Sequence, residues 1–442
     1  MKVLQKKTFS SFQVIILGFA ALILVGTFLL MLPISAQSRE WTAFSDALFT
    51  ATSAVCVTGL VVQDTATYWS YFGQTVILFL IQIGGMGVVT VGATVALLSG
   101  KKISFMQRNI MQEALSAPQV GGIVNLTRFV VAGSLLLEIL GACIMIPVFF
   151  RDFGWKGIWM SFFHSISAFC NAGFDLLGIN AQYSSLVSYA WNPFINVTIM
   201  LLIVIGGIGF LTWTDIVNHR HHFHEYRMQS KVILTTTLFL IIVPCIYFFV
   251  FEFEDLPIEK RFFASLFQAI TPRTAGFNTV DLTLLSEAGI GIMILLMLIG
   301  GSPGSTAGGM KTTTVTVLFA NTKAIFYRKE ESDLFGRRVA DETIKKAATI
   351  LMMYVTLFFC SGVLISIIEG FPMMICLFET ASAIGTVGLT LGITTQLSLI
   401  SRFILIVLMF FGRVGGLTLI FATVSGVSNR LSKLPQEKIT VG

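Results

Sequence analysis

The chain has 442 residues, 55% hydrophobic and 12% charged, with a mean hydropathy of +0.84 and a net charge of +6. A water-soluble domain cannot hide that much apolar side chain, so lipid must be part of its solvent. Six cysteines without CxxC spacing, all in apolar surroundings, argue against a disulfide scaffold or a zinc module and read as small packing residues.

In chain order, the first element is an apolar run at 13–34 behind Lys2, Lys6 and Lys7. This arrangement imitates a secretory leader, but a run of about 20 residues is too long for a leader and fits a spanning helix. Further spans are predicted at 74–98, 129–150, 193–214, 231–251, 347–368 and 402–426. The run at 288–300 is shorter and passes into 300-GGSPGSTAGG-309. Between the spans of each pair lies an amphipathic element too short to cross a bilayer, within 41–62, 155–178, 257–281 and 372–392. Each closes on a triplet ending in glycine: Val57-Thr58-Gly59, Asn171-Ala172-Gly173, Thr274-Ala275-Gly276 and Thr386-Val387-Gly388. The four glycines are 114, 103 and 112 residues apart, the mark of an internal repeat.

Each unit reads as helix, half-helix, glycine turn, helix, over 13–98, 129–214, 231–320 and 347–426, with a tail at 427–442. Each begins and ends on the same side of the membrane, so the four are parallel. The predicted fold is an all-α membrane protein with a pseudo-fourfold ring around one ion pore. Irregular backbone at membrane depth is tolerated only where it is buried or lines a water-filled cavity. One Ala-Gly turn is ordinary packing; four at matched places read as a pore lining. Glycine lets the chain leave the half-helix in conformations other residues avoid. The carbonyls then turn inward and replace an ion's hydration shell, and the half-helix C-termini add partial negative charge there. The ion favoured is a cation, bound by backbone oxygens.

Charge gives the orientation. The segments 1–12, 99–128, 215–231, 311–346 and 427–442 hold 21 of the 29 lysines and arginines. The positive-inside rule therefore places both termini in the cytoplasm of a multi-pass plasma-membrane protein. Asp64, Asp175, Glu252, Glu254, Asp255, Asp281 and Glu287 fall on the outer side, where they would attract cations. The positive balance is a topology signal and does not indicate nucleic-acid binding.

Thr386-Val387-Gly388 resembles the opening of a potassium-channel filter, and the four-unit layout with one glycine each resembles the Trk/Ktr/HKT superfamily of potassium transporters. Length and helix count are most similar to its Ktr-type membrane subunit, over about residues 13–426. The resemblance implies K+ uptake, with K+ held at the backbone carbonyls of the four triplets and Na+ a candidate activator. In this family, glycine in all four triplets goes with K+, and serine in the first goes with Na+ in some members. Only the fourth triplet here is TVG and none continues Tyr-Gly, so fewer ion sites are expected than in a channel. The resemblance also implies a homodimer docked on a cytosolic nucleotide-binding ring of KtrA type.

The third unit breaks at Gly300, Gly301, Ser302, Pro303, Gly304, Ser305, Thr306, Ala307, Gly308 and Gly309, a run that cannot continue a helix. It lacks the GxxxxGK[ST] spacing of a phosphate loop. It reads either as a cytoplasmic turn or as a gating loop across the pathway, and the resemblance implies the second. The matching places in the other units are 83-IGGMG-87, 205-IGGIG-209 and 411-FGRVGG-416. Arg413, an arginine at mid-membrane depth, needs a partner or water. Two readings stand: pairing with helix-end carbonyls, or a gate role beside the 300–309 loop. Arg273 is expected on the outer side, anchored to Asp281 or Glu287.

The stretch 219-HRHHFH-224 suggests metal, yet as a short basic loop it reads better as a topology or partner contact. Glu138, His164 and Glu379 are isolated, so no enzyme is expected. The chain carries no nucleotide motif, so nucleotide control would need another chain. The remaining alternatives are a Na+ or ammonium pathway on the same architecture, or a coupled secondary transporter, which would favour inverted repeats.

Overall fold

The structure is a computed structural model that describes residues 10–99, 103–117, 119–416 and 418. The basic leader with Lys2, Lys6 and Lys7, and the tail 427–442, lie outside the described residues.

Among the described residues, four helices are long and apolar enough to cross a bilayer: α1 (Ser11–Met31), α6 (Ile123–Phe153), α10 (Met228–Tyr247, continued by a π-helical turn to Glu252) and α14 (Asp341–Glu369). Ser10 and Gln13 start α1 with a reciprocal capping box, which satisfies two orphan donors of the first turn. Phe28, Leu136, Phe239 and Phe359 on these helices are exposed, an apolar outer surface that suits lipid.

Each long helix is followed by a short one: α2 (Phe44–Val55), α7 (Trp155–Phe169), α11 (Ile258–Ile270) and α15 (Met373–Gly385). The return elements are α3 (Tyr71–Met86) with α4 (Val88–Leu98), α8 (Pro193–Gly207) with α9 (Phe210–His219), α12 (Glu287–Leu298) with α13 (Thr312–Phe326), and α16 (Leu399–Val414). The helix α5 (Phe105–Ala114) links the first two units, and a two-residue hairpin, Asp333–Leu334 with Arg337–Arg338, links the last two.

Here the structure corrects the sequence reading. The segments 74–98 and 193–214 are not straight spans. They bend by 95° and 98° at single breaks. The break residues Gly87 and Gly209 have φ of 86° and 89°, which side-chain-bearing residues avoid. Gly415 closes α16 at Val414 with φ 88°, and the rest of the predicted span from 419 to 426 lies outside the described residues. The third unit is therefore not alone in being interrupted. The hydropathy of these segments hides the bend, because both arms are apolar.

The units touch in cyclic order. Trp159 Nε1 donates to Gln74 Oε1 at 2.9 Å between the first and second. Leu186 N donates to Asn278 O at 3.0 Å between the second and third. A Cβ on Gly385 would lie 2.3 Å from Met297 O, which sets the fourth against the third. The half-buried ion pair Arg402–Asp46, at 2.9 Å, joins the fourth back to the first.

Candidate functional site

The short helices end in one construction. In each triplet the first residue has a left-handed backbone, with φ of 57° at Val57, 59° at Asn171, 66° at Thr274 and 52° at Thr386. The glycine that closes the triplet is also at positive φ: 92°, 68°, 79° and 94° for Gly59, Gly173, Gly276 and Gly388. Strained non-glycine backbone at four matched places needs support from its surroundings. Part of that support is serine. Ser53 Oγ accepts from Gly59 N and Ser382 Oγ from Gly388 N, both at 3.0 Å, each six residues before its glycine. Ser167, at the same offset, donates to Phe174 O at 2.7 Å, and Thr271 donates to Phe277 O at 2.5 Å.

The four glycines meet. A Cβ on Gly59 would lie 2.5 Å from Ala172 O, and one on Gly173 would lie 2.8 Å from Ala275 O. One on Gly276 would lie 2.3 Å from Val387 O, and one on Gly388 would lie 2.1 Å from Thr58 O. The contacts close on themselves, so the middle carbonyl of each triplet stands beside the glycine of its neighbour. All twelve triplet residues are buried. The hydroxyls of Thr58 and Thr386 have no hydrogen-bond partner among the described residues.

Above the ring a cavity of about 230 Å³ is lined by all four glycines together with Asp175, Tyr183, Asn278, Asp281 and Thr390. Of the outer acids singled out in the sequence, only Asp175 and Asp281 line it. Glu252 accepts instead from Tyr247, Ser286 N and Ser286 Oγ, and Asp64 accepts from Ala66, Thr67 and Tyr183. These two carboxylates organise loops. Asp175 lies in the loop after the second triplet. Burial pushes its carboxyl up to about 7, with the charge of Asp64 adding to the rise and the Leu177 N–H opposing it.

Below the ring, the return elements press glycine against the short helices. A Cβ on Gly84, Gly206 or Gly412 would each lie 2.1 Å from Val55 O, Phe169 O or Ile384 O respectively. Only a bare backbone fits there, which explains three of the glycine motifs. The loop 300–309 crosses beneath. Its Ser302 N and Thr306 N bond to Gly207 O and Gly206 O at 3.0 and 3.3 Å, and Gly309 N bonds to Gly412 O at 3.1 Å. Thr306 Oγ1 reaches Asn171 Oδ1 and Phe169 O, both at 3.1 Å. A Cβ on Gly308 would lie 2.0 Å from Thr386 Oγ1. Gly300 N and Gly301 N bond within the loop, to Met310 O and Gly308 O, while Gly304 O accepts from Phe210 N. Ser305 Oγ closes on Ser302 O at 2.7 Å, and Pro303 O stands near Gly209. The loop is thus packed against the second and fourth units.

Arg413 occupies the place that Gly85 and Gly207 hold in their motifs. Its guanidinium donates to Thr306 O in the loop and to Gly84 O and Gly85 O at the end of α3, the last two at 2.5 and 2.8 Å. It therefore combines both contacts weighed from sequence, helix-end carbonyls and the loop. Arg273 departs from expectation. It is buried, and its Nη1 donates to Thr237 O in α10 at 3.3 Å. Residue 273 still belongs to the turn that closes α11, with its N–H on Ile270 O, so its side chain meets α10. Asp281 accepts from Thr283 instead.

Sequence reasoning missed Lys311, which stood only among the basic residues of 311–346. Its Nζ donates to Ala307 O and Gly308 O at 2.8 and 3.3 Å. A lysine closing a run of small residues was the available signal. The serines behind the glycines were also missed, though aligning the repeats on their glycines brings Ser53, Ser167 and Ser382 into register.

The chain matches the family model described as cation transport protein, TrkH, over residues 3–432. It is 39% identical to the potassium/sodium uptake protein NtpJ of Enterococcus hirae, covering 100% of this chain and 99% of that protein. It is 40% identical to the Ktr system potassium uptake protein B of Bacillus subtilis, over 95% and 94% of the two chains. With the protein of the same name from Vibrio alginolyticus it shares 34% identity over 97% and 94%. The crystal structure of the potassium transporter TrkH from Vibrio parahaemolyticus has the same fold at 18% identity, with a TM-score of 0.75 over 96% of this chain and 87% of that one.

Proposed function

The chain belongs to the TrkH family of cation transport proteins, and from that premise we propose that it is the ion-translocating subunit of a K+ uptake system. It is a membrane transport protein and not an enzyme. In this reading the four parallel units surround one pore, and Gly59, Gly173, Gly276 and Gly388 with their triplets form its selectivity filter. The observation that carries the reading is the closed ring of glycine-to-carbonyl contacts. Carbonyls held this way can substitute for water around a dehydrated cation. The unpartnered hydroxyls of Thr58 and Thr386 supply further oxygens.

The loop 300–309 acts as the gate, with Arg413 tying it to the first unit. Its contact with Asn171 and Thr386 supports this role, because a loop in that position blocks the inner side of the ring. Relatives named as component B of a Ktr system imply a further component. The partner proposed is a cytosolic nucleotide-binding ring of KtrA type on a homodimer of this chain, with both termini cytoplasmic. The segment around the hairpin is exposed and of mixed charge, with Lys329 paired to Asp333 and Arg338 to Glu331, and offers a polar face to such a partner. A relative named for both potassium and sodium uptake gives Na+ a place as a second ion or activator.

The test is flux of K+, Na+ and NH4+ into liposomes that hold the purified protein, with and without the partner, beside Gly388→Ser. Preference for K+ that the variant loses is the expected result. Flux of none of the three ions in either arrangement would overturn the reading.

A further inference from the structure

Three successive carbonyls of the 300–309 loop lie just beneath the triplets, and a cationic side chain holds each one. Thr306 O accepts from Arg413, while Ala307 O and Gly308 O accept from Lys311. Among the described residues, every hydrogen bond these two cations make goes to a backbone carbonyl. Lys311 is half-buried, and an ammonium partly withdrawn from water without a carboxylate beside it carries a desolvation cost. Its position adds to the cost. Lys311 is the N-cap residue of α13, where no side chain caps the helix and where the helix dipole disfavours positive charge. Serine, threonine or aspartate would serve that helix better, so a lysine there is not explained by local folding.

An ammonium that sits on two carbonyls uses the ligands a dehydrated K+ would use. We propose that Lys311 is a tethered blocking cation: its ammonium occupies the loop carbonyls of Ala307 and Gly308 in place of a permeating ion, and is withdrawn when α13 moves. This rests on the filter-and-gate reading above. The two cations divide the latch. Arg413 ties Thr306 to α3 of the first unit, whereas Lys311 ties the loop to the start of its own following helix. Residue 311 ends the loop and caps α13, so displacement of α13 carries the ammonium off both carbonyls at once. That helix ends at Phe326, close to the exposed hairpin, which gives a cytosolic partner a handle on the block.

The experiment is K+ flux through full-length protein in liposomes, comparing Lys311→Met, Lys311→Gln and Lys311→Arg with the parent, each checked for the same monodisperse elution. Removing the charge is expected to raise flux on the order of tenfold, the weight of one charge-assisted hydrogen bond on a closed state. Methionine and glutamine should both do this, and arginine should stay near the parent. Glutamine keeps a donor without the charge, so it decides the matter even if methionine fails to fold. If the lysine merely stitches the loop, glutamine behaves like the parent, and the proposal is overturned. Flux at or below the parent in folded Lys311→Gln overturns it as well. Absence of K+ flux in the parent and every variant, with and without the partner, sinks the transport reading and the latch with it, whereas parent flux that the variants do not change sinks the latch alone.

Discussion

Serine placed in turn at the four ring glycines is a graded perturbation, and the structure ranks the outcomes. The added Cβ would meet a neighbour's carbonyl oxygen at 2.1 Å from residue 388, 2.3 Å from 276, 2.5 Å from 59 and 2.8 Å from 173. Ordinary contact begins near ~3.5 Å, so Thr58 O must retreat by about 1.4 Å for Gly388→Ser, and Ala275 O by about 0.7 Å for Gly173→Ser. Backbone conformation ranks the two extremes the same way. Left-handed backbone open to residues with side chains spans φ of about +50 to +70°. Gly173 lies inside it at 68°, and Gly388 lies well outside at 94°. Holding a serine outside it costs about 1–3 kcal/mol, which the ring relieves by moving carbonyls. Since 1.4 kcal/mol is a factor of about ten, Gly388→Ser should reduce K+ preference over Na+ tenfold or more, and Gly173→Ser least. Competitive Rb+ and Na+ flux into proteoliposomes reads the ratio directly. The expected order of loss is 388, 276, 59, 173. If Gly173→Ser is the most damaging, or if all four variants keep the parent's ratio, carbonyl position in this ring does not set selectivity.

Arg413→Ala should raise flux, because the loop loses its tie to the first unit. It should also lower thermal stability in detergent, since carbonyls at the end of α3 lose their donor at about 1–3 kcal/mol each. Unchanged or reduced flux in folded protein would count against the gate. K+ uptake at low external K+ should weaken as external pH falls through about 7, where Asp175 titrates. The sign follows from the raised value: the carboxylate is charged above that pH and attracts cations, and neutral below it does not. Asp175→Asn should therefore give a flat profile at the acid-limb rate; a profile identical to the parent's would assign the pH dependence elsewhere. Arg402→Met leaves Asp46 half-buried without its cation and should cost about 1–3 kcal/mol. The double variant with Asp46→Asn should recover most of that loss in a thermal-unfolding cycle.

Much of this architecture is written in periodicities that survive without coordinates. The spacing of Gly59, Gly173, Gly276 and Gly388 locates the ends of four short helices, because a helix too short to span must finish somewhere conformationally permissive. The bends at Gly87 and Gly209 were less legible. Hydropathy averages over both arms, and in sequence IGGMG and IGGIG are visible only as glycine-rich places matching the break of the third unit. Arg273 shows the opposite failure. Its place in sequence, just before a triplet, suggested an anchor on Asp281 or Glu287, but from the turn that closes α11 its side chain reaches Thr237 O in α10. Lys311 was hidden by its company among eight basic residues, where charge explains topology and no single lysine stands out.

The proposed filter and gate differ in their symmetry. The triplet layer is close to fourfold: each unit supplies a left-handed first residue, a middle carbonyl and a glycine at positive φ. A dehydrated ion has no preferred direction around the pore axis, so a ring that replaces its water gains from equal ligands. The layer beneath starts from the same glycine pairs, Gly84-Gly85 and Gly206-Gly207, and then departs from them twice. The third unit inserts 302–309, and the fourth puts Arg413 where the second glycine would be. These two departures touch each other through Thr306. A gate has to move one element against a fixed frame, and four identical elements would have to move together. On the proposed reading, confining the inserted loop to one unit and its tie to another makes the moving part singular while the ring above keeps its equal ligands. Variants of the two layers should accordingly separate: substitutions in the triplets change which ion passes, and substitutions at Arg413 or in the loop change how fast. A loop variant such as Thr306→Ala that alters the K+ to Na+ ratio as strongly as Gly388→Ser would show that the layers are not independent.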